Sequence, residues 1–145
     1  MGLLDRVLRA PTAISDGRDA FAALAFCAVA ADGRITEEEA QVLGAALGRM
    51  RLYEAVHRRQ MGRIFETVAS VVREKGAEAV VDEAAPRVPA ELRVTAFAVA
   101  LDLVMADHGI GEEERGLMER MRVALGVDAH EARDIERVLE IKNRG

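Results

Sequence analysis

The residues of this chain with the clearest capacity for chemistry are four carboxylates in two acidic turns. Asp32 and Glu39 lie in "AADGRITEEEAQVL", residues 30–43, and Asp107 and Glu114 in "MADHGIGEEERGLM", residues 105–118. Oxygen-only donors of this kind suit a hard divalent cation such as calcium or magnesium. The EF-hand loop is the natural template, with oxygen ligands spread over twelve positions and a glycine at the sixth. If Asp32 stands at the fifth position, Gly33 falls at the sixth, Thr36 at the ninth and Glu39 at the twelfth. The first half of the template is absent: its donors become Ala28 and Ala30, and in the second turn Leu103 and Met105, none with a side-chain oxygen. One turn alone therefore falls short of the roughly six to eight oxygens calcium takes, and is expected to bind on the order of millimolar. Two apposed turns would gather Asp32, Glu39, Asp107 and Glu114 into one cluster. Their mutual repulsion would favour a divalent cation, with water completing its shell. His108, beside Asp107, would add a nitrogen donor and tilt the choice toward transition metals, or it is a solvated turn histidine.

The same acids have a structural reading. Thr36 followed three residues later by Glu39 is a capping box, in which each side chain satisfies a free backbone N–H at a helix start. Glu37 and Glu38 suit the positive end of that helix dipole, and Asp32 before Gly33 makes a turn without any metal. Gly111 has no side chain with which to complete a second box, so capping accounts less well for Glu114. Asp107 precedes His108 instead of glycine, and turn formation explains it less well too. Asp102 interrupts the apolar run "VTAFAVALDLVMA" and either reaches toward the acidic turns or sits as an acid at a helix edge. His57 and His130 have no ligand spacing with anything. "RRQMGR", residues 58–63, is a small basic cluster that meets an anionic partner or lipid, or is a solvated face. There is no glycine-rich phosphate loop, nucleophile elbow or Ser-His-acid triad, so nothing in the sequence supports catalysis.

These residues need a scaffold, and the patterning predicts one of helices. In 145 residues, half of them apolar and only 3% aromatic, the core must be built from Ala, Val, Leu, Ile and Met with four phenylalanines. A chain of this length buries one core, and no linker is long enough to divide it. Apolar spacings of three and four predict helices over 3–9, 18–31, 36–49, 51–74, 77–85, 90–107, 112–125 and 129–143, with Ile135, Val138 and Leu139 on an apolar stripe. Pro11, Gly33, Gly109 and the pair Pro86 and Pro89 punctuate them. Residues 28–43 align without gaps on 103–118, Asp32 with Asp107 and Glu39 with Glu114. Two repeat units, about 18–49 and 90–125, are thus predicted: each an apolar helix, an acidic turn and a capped second helix. Two copies are too few for a solenoid and are expected to face each other in a single all-α domain with pseudo-twofold symmetry.

Composition narrows the setting. A net charge of −5 without a dense basic stripe argues against a nucleic-acid surface. Cys27 is the only cysteine, which rules out an intramolecular disulfide or a Cys-based zinc site and fits a reducing cytoplasm. The longest apolar run, Ala20 to Ala31, is short of the roughly 20 residues of a membrane-spanning helix. "MGLLDRVLRAP" lacks a signal-peptide core, and Arg6 stands where myristoylation wants Ser or Thr. The short amphipathic helix at 3–9 is expected to pack on the domain, the other reading being contact with a membrane or partner.

The paired "ADGRITEEE" and "ADHGIGEEE" turns, each after an Ala-rich apolar helix, resemble the tellurite-resistance TerB family and its TerB-like relatives, including the domain attached to some membrane-anchored J-domain co-chaperones. "MGLLDRVLRA" resembles that family's opening segment, so the likeness covers nearly the whole chain. The resemblance implies an all-helical bacterial domain without enzymatic activity, with acids clustered between two pseudo-symmetric halves and proposed to bind a divalent metal. Carried over by position, those acids are Asp32, Glu39, Asp107 and Glu114; His108 replaces the family's usual glycine. It further implies protein partners in membrane-linked stress-response complexes, at the inner face of the membrane through those partners. Docking such a partner, with the acids serving only as caps, is the alternative function.

Overall fold

The computed structural model describes residues 17–107 and 110–144, apart from the side chain of Asp107. The helix predicted at 3–9 lies outside them. The Ala-rich run determines the architecture. It forms helix α1, Arg18–Val29, in which every residue from Asp19 to Ala28 is buried. A helix apolar on every side has no face for water and must stand inside a ring of others. Ala20, Ala22, Ala23, Ala25 and Ala28 let neighbouring helices come close, while Phe21, Leu24 and Phe26 fill the remaining volume. Burial also pushes the Cys27 thiol up to about 12, which makes it inert at neutral pH.

Around α1 stand α2 (Glu37–Gly48), α3 (Arg58–Lys75), α4 (Ala77–Ala84), α5 (Arg93–Asp107) and α6 (Glu112–Leu125). The seventh helix, α7 (Ala129–Lys142), packs on α5. Short 3₁₀ turns occupy Arg51–Tyr53, Ala85–Arg87 and Ala90–Leu92, and the described residues contain no strand. The all-α expectation holds, and both predicted hairpins form, α1 on α2 and α5 on α6. Their pseudo-symmetry is incomplete. Leu117 and Met118 are both buried, whereas of their counterparts only Leu43 is; Val42 is 60% exposed, because α2 lies at the periphery.

Two expectations are corrected. The single helix predicted over 51–74 is a 3₁₀ turn followed, after a break, by α3. Tyr53 turns inward, its hydroxyl donating to the Arg18 carbonyl at 2.7 Å and its ring edge-on to Phe21 at 6.2 Å. His57 then starts a new helix: its Nδ1 accepts from Arg59 N at 3.2 Å and its own N–H donates to Gln60 Oε1 at 3.0 Å. Val138, read as part of an apolar stripe, is 58% exposed, as is Ile141, because α7 packs through Ala132, Ile135 and Leu139.

The relation between α1 and α5 matters most for the acidic turns. Gly17, at φ +90°, touches Pro89 so closely that a Cβ there would lie 2.5 Å from Pro89 Cδ. Pro89 heads the 3₁₀ turn that runs into α5. The two helices therefore start side by side, and they pack together more extensively than any other pair. Each ends in one acidic turn. Gly17→Ala combines a left-handed φ with that clash and is expected to cost about 1–3 kcal/mol, measured as a lower urea midpoint by circular dichroism. An unchanged midpoint would contradict the close start of α1 and α5.

Candidate metal site at the acidic turns

In the first turn the chain leaves α1 through Ala30, whose N–H donates to Phe26 O at 2.8 Å, and Gly33 N then donates to Ala30 O at 3.0 Å. Asp32 Oδ1 accepts from Arg34 N at 2.9 Å, the side-chain turn expected of an aspartate here. Gly33 is required twice over. Its φ is +78°, and a Cβ would fall 2.6 Å from Arg73 Cγ and 2.9 Å from the Ala69 carbonyl of α3. The turn thus lies flat on α3, and Arg73 Nη1 donates to Gly33 O at 2.7 Å. Arg73 escaped the sequence reading because forty positions separate it from its partner and no local pattern marks it. The capping box is complete: Thr36 Oγ1 accepts from Glu39 N at 3.1 Å, and Glu39 Oε1 accepts from Thr36 N at 3.0 Å.

The second turn uses half of that device. Gly111 N donates to Glu114 Oε2, and a Cβ on Gly111 would approach the same oxygen to 2.6 Å. Glu114 thus makes the reciprocal cap although Gly111 has no side chain to return it, so capping accounts for Glu114 better than the residue types alone suggest. Ile110, like Ile35 in the first turn, packs against the core and anchors the loop. Helix α6 is held on α4 by a two-pronged pair, Arg120 Nε to Asp82 Oδ1 at 3.0 Å and Nη2 to Oδ2 at 2.6 Å. Those hydrogen bonds hold the Asp82 carboxyl below its ordinary range. Both partners are exposed, so the pair orients α6 more than it stabilises it.

Of the remaining candidates, the Asp107 side chain and His108 lie outside the described residues. Asp102 engages the end of α7, its Oδ1 accepting from Asn143 Nδ2 at 2.9 Å and from Lys142 Nζ at 3.3 Å. Among the described residues no three of His, Cys, Asp and Glu lie close enough to hold a metal. Asp32, Glu39 and Glu114 each give one oxygen to a local N–H, and the other oxygen of each has no hydrogen bond among the described residues. The described acids alone are thus a pair of capped turns; a cluster requires Asp107.

Comparison with known families matches residues 18–137 to the family described as Tellurite resistance protein TerB. The chain belongs to the TerB family. The matched region begins at the first residue of α1, contains both acidic turns, and stops inside α7, leaving Asn143, the partner of Asp102, outside. No curated protein and no solved structure matches the chain significantly.

The capping geometry makes its own prediction. Thr36→Ala removes the acceptor for Glu39 N and is expected to cost about 1 kcal/mol, whereas Glu39→Gln keeps an acceptor for Thr36 N and is expected to cost less. Urea unfolding of the two variants measures both; a Glu39→Gln loss as large as that of Thr36→Ala would mean that the charge of Glu39 has a role beyond capping.

Proposed function

We propose that this TerB-family chain is a non-catalytic module of the response to tellurite or related chemical stress, and that it works by taking up a divalent cation between its two acidic turns. The observation that supports this reading is that α1 and α5 start side by side and pack together extensively, an arrangement in which the turns that follow them would lie toward one end of the molecule. Asp32, Glu39, Asp107 and Glu114 would supply the oxygens. Further support comes from the unbonded second oxygen on each of the three described acids, which leaves the caps intact while a cation is engaged. A cation held this way relieves carboxylate repulsion and ties two hairpins together, so binding stabilises the folded state by mass action. Calcium and magnesium fit the oxygen donors best; manganese and zinc test the contribution of His108.

The test is a titration of metal-stripped protein with each of these ions, following melting temperature and binding heat. A saturable rise with one ion, abolished in Asp32→Asn/Asp107→Asn, is expected. A full rise in that double variant, or flat responses to every ion, would overturn the reading.

A second reading has its own observation in its favour. All three described acids already serve backbone N–H groups, and α7 exposes Val138 and Ile141 one turn apart. On that reading the acids are caps, and the domain is an adaptor docking a membrane-associated stress partner. No described helix is long and apolar enough to cross a membrane. Val138→Asp/Ile141→Asp would then abolish a crosslink to that partner, and a crosslink unaffected by the change would count against this face.

A further inference from the structure

The acidic turns leave the opposite sign of charge unexplained. Between Arg49 and Arg63 the chain carries five arginines (Arg49, Arg51, Arg58, Arg59 and Arg63) and one acid, Glu54. That stretch is net +4 in a chain of net −5, so the rest of the molecule carries −9. The five arginines are exposed where α2 ends, the 3₁₀ turn crosses and α3 begins. None has a carboxylate partner among the described residues, whereas Arg115 and Arg122 each pair with one and Arg120 with two. Arg58 and Arg59 also stand in the first turn of α3, where the helix dipole disfavours a cation. Five exposed arginines without carboxylate partners thus follow one another along the end of α2, the 3₁₀ turn and the start of α3, two of them against the helix dipole.

We propose that this corner is a docking surface for an anionic lipid bilayer. Clusters of roughly four to eight basic residues are the pattern by which proteins bind anionic headgroups, and arginine matches phosphate oxygens in pairs. Between the arginines lie the part-exposed apolar side chains of Met50, Leu52 and Val56. These side chains pack against the core and are only partly covered, so some apolar surface borders the arginines, which suits a headgroup layer over acyl chains better than a purely polar partner. The surface is separate from the acidic turns, and docking here does not depend on a metal.

Flotation of the full chain with vesicles tests it, comparing phosphatidylcholine alone with phosphatidylcholine mixed with phosphatidylglycerol. Binding is expected only to the mixed vesicles and is expected to weaken as salt rises. The triple variant Arg51→Glu/Arg59→Glu/Arg63→Glu should lose roughly tenfold or more in affinity, with its circular dichroism unchanged because the three positions are exposed. The matching Arg→Lys variant should retain most of it. Equal binding to both vesicle types, no binding to either, or full binding by the Glu variant would each overturn the proposal. So would capture by duplex DNA or an acidic protein without capture by anionic vesicles.

Discussion

The burial of α1 on every side is the constraint on which the rest of this structure depends. A helix with no solvent face cannot be stable unless other helices enclose it, and its alanines set how closely they approach. Helices α2 to α6 meet that demand, and α7 is added on the outside of α5. The ends of α1 inherit the consequence. Its start is fixed by contact with Pro89 and by the Tyr53 hydroxyl, and its end must turn sharply, which is why Gly33 lies against α3 under Arg73.

The acidic turns are then a matter of economy. Leaving a buried helix requires a tight turn, and starting the next requires caps for free N–H groups. Asp32, Glu39 and Glu114 do this work with one carboxylate oxygen each. The repetition of the same acids in both hairpins is more than capping alone demands, since Ser, Thr, Asn and Asp all cap helices well. Acids gathered into one cluster would repel each other, and a cation is the simplest relief. Helix α2 links the two kinds of charge: it starts in the acidic first turn and ends at the exposed arginines that lead into α3.

Much of this was legible in the residues. The Ala-rich run announced a core helix, the repeat announced two hairpins, and Thr36 with Glu39 announced a cap, because each signal is local and has a short period. What escaped was non-local. The break before α3 depends on Tyr53 finding Phe21 and the Arg18 carbonyl, and Arg73 reaches a turn forty positions away. The exposure of Val138 depends on which side of α7 meets α5. Gly111 has no side chain to give a cap, yet its backbone N–H still receives one from Glu114, so half of the box survives without its first residue's side chain. The membership of the chain in the TerB family rests on a match over residues 18–137, which contain both turns.

The central claim is that α1 and α5 carry the two acidic turns to the same end of the molecule, and spin-label distances test it most directly. Labels at Arg34 and Glu113 mark the two turns, and labels at Arg34 and Ala90 mark opposite ends of the α1–α5 pair; all three positions are exposed, and buried Cys27 stays unlabelled. The account predicts that the Arg34–Glu113 distance is the shorter of the two. The reverse order would place the turns at opposite ends, and no shared cation site would survive it.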